Sequence, residues 1–383
     1  METRKKVFVH LESGRGYSRD ILKGIYAHNR FNRWDIIFEP AYFLKNNHTR
    51  SDISIIKALK PDGCILEFPQ NVSALKRMGI PVVQVTSVHH SSSIPYVKGN
   101  YESDGKMAAR YFQKKGFQNF AFFGIEGLEW SEARYSSFKF QAEEAGINLY
   151  SYFLKGNDAD VLTHNFTDLN NWLKKLPKPI AVLCCNDDFG QILINSCSMA
   201  AIKVPHEIAI LGIDNDELIC NITSPNLSSI SRNHSKTASS VCSILDEMMN
   251  GTRMHRHFIS TEAVEVMERA STDTVSTGDS DVAEAITFIS SNIRLPITVN
   301  DVAAVGNFSV RVLNSRFKKL TGNTIHQEIQ FRKLSMFKQL LKQNLSIKEI
   351  AFELGFQDIS HVSRWFSHLE GTSPLEWKKK YYN

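Results

Sequence analysis

Ile347-Lys-Glu-Ile-Ala-Phe-Glu-Leu-Gly355, followed by Ile359-Ser-His-Val-Ser-Arg-Trp-Phe-Ser-His-Leu-Glu-Gly371, reads as two helices joined by a glycine-containing turn. The plan occurs once before, in Val299-Asn-Asp-Val-Ala-Ala-Val-Gly306 and Ser309-Val-Arg-Val-Leu-Asn-Ser-Arg-Phe-Lys-Lys-Leu-Thr-Gly322, with a turn one residue shorter. Ala303 and Ala351 are small enough for close helix crossing. Leu313 with Phe317, and Val362 with Phe366, are spaced i, i+4 and form inward stripes. Residues 325–343 carry the period of one connecting helix. It is long enough to hold two recognition helices at roughly 34 Å, the spacing of successive major grooves on one face of a duplex.

Outward from these repeats, 282–292 and 374–382 are also amphipathic, and no strand pattern intervenes. Residues 281–383 are therefore expected to be an all-α tandem helix-turn-helix domain. Just upstream, Ala270-Ser-Thr-Asp-Thr-Val-Ser-Thr-Gly-Asp-Ser280 is nearly devoid of large apolar residues, so 271–280 is expected to be a linker. Charge divides at the same place. Residues 281–383 hold 14 Lys and Arg against 9 Asp and Glu, whereas the first 280 residues hold 31 of each. A basic module beside a neutral one fits a nucleic-acid binder joined to something else.

Residues 1–270 alternate short apolar runs with longer amphipathic stretches. Strands are expected near 6–10, 34–39, 63–68, 81–86, 120–124, 181–185 and 208–213, and helices near 18–29, 103–115, 134–145 and 189–200. This alternation predicts parallel sheet covered by helices. Ligands bind beyond the carboxyl ends of such strands, where residues 11–16, 124–134, 186–188 and 214–217 fall.

The C-terminal repeats resemble the AraC (arabinose regulator) family of tandem helix-turn-helix proteins. The likeness is carried by Glu349-Ile-Ala-Phe-Glu-Leu-Gly-Phe356, Ser363-Arg-Trp-Phe366, Gly371-Thr-Ser-Pro374, Ser315-Arg-Phe-Lys-Lys319 and Gly322. It implies that Arg311, Asn314, Ser315, Ser360, His361 and Arg364 face bases, and that Arg316, Lys318, Lys319 and Arg332 contact phosphates. The chemistry is apt: Arg suits guanine, Asn suits adenine, and phosphate contacts add affinity with little sequence information. Val362 stands where an aromatic is usual, and Ser367-His368 where a basic pair is usual. Met336 replaces a small residue and is expected to affect packing more than recognition.

The N-terminal part resembles the effector core of lactose-repressor family regulators, relatives of periplasmic sugar-binding proteins. Pro205-His-Glu-Ile-Ala-Ile-Leu-Gly-Ile-Asp-Asn-Asp-Glu217, Val182-Leu-Cys-Cys-Asn-Asp-Asp188 and Gly99-Asn-Tyr-Glu-Ser-Asp-Gly105 carry this likeness. It implies a two-lobed α/β periplasmic-binding-protein-like sensor that closes over a ligand. A repressor-type sensor ahead of an AraC-type module is the architecture of bacterial xylose operon regulators, which the chain resembles over essentially its full length. The resemblance implies sugar contacts from Arg134, Asn186 and Asp214, and Asp188, in the same strand-end segment as Asn186, is a further ligand candidate. Arg supplies donors, Asp accepts hydroxyl hydrogens and Asn does both. Tyr17 and Arg19 open the first helix and are placed to close the pocket. Trp130 is placed either to stack on a sugar face or to fill core. Asn186 and Asp214 serve equally as helix caps or loop anchors.

The partners expected are a double-stranded DNA operator, a monosaccharide effector, a second copy in a homodimer and, for an activator, RNA polymerase. No cofactor, metal or membrane partner is expected. The six cysteines include no CxxC pair, no apolar run reaches about 18 residues, and residues 1–6 lead into Val7-Phe8-Val9 without a signal-peptide core, which predicts a cytoplasmic protein. The sequence lacks GxxxxGK, HExxH and GxSxG, so an enzyme is not expected. A transport protein or a ligand-independent DNA-binding protein are the other readings weighed.

Overall fold

The computed structural model describes residues 4–31, 33–41, 43–44, 47–48, 53–67, 69, 72–85, 93–155, 166–252, 258–274, 279–306, 309–342, 345–356 and 358–382. The chain forms two compact units, Met1–Thr272 and Asp273–Asn383.

The first unit contains two six-stranded sheets. One comprises β1 (Lys5–Glu12), β2 (Trp34–Ala41), β5 (Gly63–Leu66), β6 (Val82–Gln84), β7 (Tyr96–Gly99) and β13 (Phe258–Thr261), in the order β13-β7-β6-β5-β1-β2. The other comprises β8 (Asn119–Ile125), β9 (Asn148–Leu154), β10 (Ile180–Cys184), β11 (Ile208–Ile213), β12 (Ser228–Arg232) and β14 (Ala263–Met267), in the order β14-β12-β11-β10-β8-β9. Two-residue strands β3 (Phe43–Leu44) and β4 (Asn47–His48) pair apart from both. The expected parallel pairing holds throughout the two large sheets, except that β14 runs antiparallel to β12.

Strands buried on both faces read as unbroken apolar runs rather than alternation. The runs Ile180-Ala-Val-Leu-Cys184 and Ile208-Ala-Ile-Leu-Gly-Ile213 are accordingly buried along their whole length. In the second sheet Val182 lies between Ala121 of β8 and Ile210 of β11. This register aligns the carboxyl ends of β8, β10 and β11. The chain passes from one sheet to the other after β7, after β12 and between β13 and β14.

Helix Gly16–His28 follows β1, and helix His234–Met249 packs beside it through Ile21, Ile25, Ala238 and Val241. Helices Tyr101–Lys114, Glu129–Glu144 and Asp187–Met199 match the expected positions within a few residues. All six cysteines are buried free thiols. Phe68 and Thr86, at the ends of two expected strands, lie outside the described residues.

The expected linker begins later than its composition implied. Ser271 and Thr272 are fully buried in the α/β unit. Ser271 Oγ donates to Ile210 O at 2.6 Å and accepts from Ser228 N at 2.8 Å, and Thr272 Oγ1 lies 2.6 Å from Ser228 Oγ. Small hydroxyl side chains here satisfy buried backbone groups instead of solvating a tether. Residues 275–278 lie outside the described residues.

The second unit is helical. Helices Val299–Val305 and Ile347–Glu353 each begin with a capping box, Thr298 with Asp301 and Ser346 with Glu349. Each leads into a recognition helix, Val310–Thr321 or Ile359–Glu370. Ile325–Lys342 links the two helix-turn-helix units, and its 18 residues span about 27 Å. Helix Ser280–Asn292 joins the first core, built on Ala303, Leu313 and Phe317, while Ala351, Val362 and Phe366 centre the second. Met336 packs against both, as expected of a packing residue.

Candidate functional site

The carboxyl ends of both sheets open onto one cavity of ≈ 160 Å³ within the α/β unit. Six expected ligand residues line it: Tyr17, Trp130, Arg134, Asn186, Asp188 and Asp214. Arg19 lies outside the lining. Its guanidinium pairs with Asp216 and donates to Gly14 O at 2.5 Å, so it ties the first lobe to the loop after β11 across the cleft.

Arg134 organises the far wall. Its Nε donates to Asp104 Oδ2 at 2.8 Å, Nη1 to Cys185 O at 2.5 Å and Nη2 to Asp214 Oδ1 at 3.2 Å. Its guanidinium lies 5.3 Å from the Tyr101 ring and 5.4 Å from that of Trp130. Trp130 both packs against the α/β core and lines the cavity. Helix crossing sets this arrangement: a Cβ on Gly105 would come within 2.7 Å of Arg134 O, so glycine beside Asp104 lets the two helices meet closely enough for the ion pair.

Asp214 and Asn215 follow β11 with φ of 99° and 53°, a left-handed conformation costly for non-glycine residues. Burial pushes the Asp214 carboxyl up, but Arg134, His234 and Arg232 outweigh it and hold it below the usual range. Asp187 is different. Burial keeps its carboxyl well above the usual range although it accepts from Ser229 Oγ and Asp216 N, each at 2.6 Å. Gly212 permits this contact, since a Cβ there would stand 2.1 Å from Asp187 Oδ1. Asn186 caps its helix by accepting from Phe189 N at 3.0 Å while also lining the cavity. Burial raises Asp188 as well, opposed by Arg15.

Glu12 and Arg15, also in the lining, fall in the strand-end segment 11–16 expected at the cleft, whereas Glu67, Tyr101, Arg232 and His234 were not singled out from the sequence. Glu67 is buried, accepts from Glu12 N at 2.6 Å, and is pushed by burial to about 7. Arg232 is buried at the end of β12, where it pairs with Asp104 and donates to Thr261 O at 2.8 Å. A charged residue closing an apolar strand was the available signal for Glu67, which follows Gly63–Leu66; Arg232 ends the serine-rich strand Ser228–Arg232, which gives no such signal.

In the helical unit, Arg311, Ser315, Lys318 and Lys319 are exposed on the first recognition helix, as is half of Val312, which sequence reasoning did not single out. Asn314 is turned inward instead of toward bases: its Oδ1 accepts from Ile325 N at 2.9 Å and so caps the linking helix. Arg316 forms a two-pronged pair with Asp279, at 2.9 and 2.6 Å, and reaches Asp281 at 2.7 Å. On the second recognition helix His361 and Arg364 are exposed and joined at 2.7 Å, and the side chain of Ser360 lies outside the described residues.

Arg332 corrects the expectation of a phosphate contact. It pairs with Asp273, and it donates to Glu328 Oε1 at 2.7 Å and Ser290 Oγ at 2.5 Å. Its side chain is only 18% exposed, and three partners occupy its donors. The expectation rested on the family resemblance; in this chain Asp273 pairs with the guanidinium.

A family profile described as a periplasmic binding protein-like domain matches residues 109–272, and one described as a helix-turn-helix domain matches 302–380. The xylose operon regulatory protein of Haemophilus influenzae is 28% identical, covering 97% of this chain and 98% of that protein. Its namesake in Escherichia coli K12 is 26% identical, covering 98% and 97%. The solved structure of a xylose-binding transcription activator matches with a TM-score of 0.67 at 24% identity, covering 99% of each chain. A LacI family transcriptional regulator from Enterococcus faecium with bound ribose matches at a TM-score of 0.56 and 16% identity, covering 70% of this chain and 98% of that one. The chain therefore combines a two-sheet, periplasmic-binding-protein-like α/β fold with a helical helix-turn-helix domain, and it is similar over nearly its full length to xylose operon regulatory proteins.

Proposed function

We propose that the chain is a sugar-responsive transcription regulator of pentose utilisation, sensing D-xylose or a close relative and activating its target genes. The single observation that carries this reading is the pairing, on one chain, of a polyol-sized cavity walled by Arg134, Asp214 and Arg232 with two helix-turn-helix units. Guanidinium donors and carboxylate acceptors held at fixed positions suit vicinal hydroxyl groups, each of which both donates and accepts. The xylose operon regulatory proteins supply the choice of sugar.

DNA recognition is assigned to Arg311 and Ser315 on the first recognition helix and to Ser360, His361 and Arg364 on the second. Lys318 and Lys319 neutralise phosphates. Asn314 and Arg316 position the first unit. The chain is not an enzyme in this reading. It works in the cytoplasm as a homodimer on an operator and recruits RNA polymerase. Among the described residues no helix is long and apolar enough to cross a membrane, which agrees with that location.

Calorimetric titration with D-xylose, then with other pentoses, hexoses and sugar acids, tests the reading. Saturable xylose binding supports it. A response to a different sugar alone changes the pathway and keeps the regulator, and no heat from any member of the panel removes sugar sensing.

A further inference from the structure

We propose that the Asp273–Arg332 ion pair transmits the state of the sugar cavity to the DNA-binding helices. The proposal rests on the sugar-sensing reading above. Thr272 and Asp273 are consecutive residues with separate anchors. Thr272 is fully buried in the α/β unit, where its hydroxyl lies 2.7 Å from Tyr111 Oη and 2.6 Å from Ser228 Oγ. The preceding Ser271 bonds to Ile210 O of β11 and to Ser228 N of β12. Those two strands end in the cavity, β11 leading to Asp214 and β12 closing with Arg232.

Asp273 is the first residue of the helical unit, and its carboxylate is held by Arg332, near the middle of helix Ile325–Lys342. That helix contributes Ile325 and Ile329 to the first core and Leu334, Phe337, Leu340 and Leu341 to the second. A displacement of Asp273 therefore reaches the one helix on which both recognition units are built. No slack separates the anchors, because a single peptide bond joins them.

The energetics favour a coupling role over a merely stabilising one. A largely buried ion pair gains little net stability over a well-packed apolar substitute, because desolvation offsets the attraction. What it does provide is fixed geometry. Arg332 is held from three sides, by Asp273, Glu328 and Ser290, so that shifting Asp273 pulls on a guanidinium already oriented by its own helix.

The test is hydrogen exchange of the full chain with and without saturating D-xylose, in wild type, Asp273→Asn and Asp273→Glu, alongside calorimetric xylose affinities. In wild type, xylose is expected to change exchange in residues 325–342 by several-fold. Asp273→Asn should abolish that change while keeping xylose affinity within about threefold, and Asp273→Glu should restore part of it. If Asp273→Asn melts abnormally, Arg332→Lys, which keeps the positive charge but loses the planar guanidinium, should weaken the same change in a chain that melts as wild type does. A xylose-induced change that persists undiminished in Asp273→Asn or in folded Arg332→Lys overturns the proposal and leaves the sensing reading intact. So does wild-type xylose binding with no change in 325–342. Failure of wild type to bind xylose overturns both.

Discussion

Arg134 donates from Nη2 to Asp214 Oδ1 across 3.2 Å, joining the helix after β8 to the loop after β11 at the cavity wall. Asp214 is held there with φ of 99°, and its carboxyl sits below the usual range despite burial. An ionised acceptor fixed by a guanidinium is preorganised for a ligand hydroxyl. Asp214→Ala is expected to weaken xylose binding by at least tenfold in calorimetry, since a hydrogen bond to a charged group contributes about 1.5–3 kcal/mol. DNA affinity without sugar should stay unchanged in an anisotropy assay. An unaltered xylose affinity would remove Asp214 from the site.

Glu67 makes stability depend on pH. Burial raises its carboxyl from the ordinary 4.5 to about 7, so between those values the folded chain retains a proton that the unfolded chain has released. Stability from this group is fully present below about 4.5, falls as pH rises through the window, and levels off above about 7. Glu67→Gln keeps an acceptor for Glu12 N and cannot ionise. Its melting temperature is expected to exceed that of wild type at pH 8 by more than at pH 5. The underlying difference is on the order of 1–3 kcal/mol. Parallel melting curves at the two pH values would show that Glu67 does not titrate in this window.

The cavity was legible where chemistry followed directly from strand ends. Asn186 and Asp214 come just after apolar runs, and parallel-sheet geometry sends such positions to a cleft, while Arg134, inside the helix after β8, was reached through the family resemblance. Glu67 had the same strand-end signal, whereas Arg232 and His234 follow no apolar run, and their meeting with the rest depends on strand order and on the three crossings between sheets, which local patterning does not encode. Ser271 and Thr272 misled for a related reason. Short hydroxyl residues serve a solvated tether and a buried hydrogen-bond network equally well, and only the neighbouring Ile210 and Ser228 separate the two. Arg332 and Asn314 were assigned through family resemblance, and in this chain a carboxylate far along the sequence and the next helix terminus capture their side chains.

The altered place of Arg332 separates it from Lys318 and Lys319. Arg332→Ala leaves Asp273 and Glu328 without their partner in a largely buried setting, so the helical unit should lose about 3–5 kcal/mol. Calorimetric unfolding reads that loss. Lys318→Ala should leave melting nearly unchanged and lower the slope of log affinity against log salt by about one. A reduced salt slope for folded Arg332→Ala would return that residue to the phosphate contacts.

Arg311 and Ser315 lie one helical turn apart on an exposed face of Val310–Thr321, while Leu313 and Phe317 anchor the opposite side in the core. Arg311 therefore projects from a helix that is fixed in rotation, a requirement for bidentate reading of guanine O6 and N7. Arg311→Ala is expected to cost about 1–3 kcal/mol on a DNA site selected by the wild-type chain, with preference relaxed at one base pair. Binding to random duplex should hardly change, because phosphate contacts from Lys318 and Lys319 remain. Equal losses on selected and random DNA would reassign Arg311 to the backbone and shift base recognition to Ser315 and the second helix.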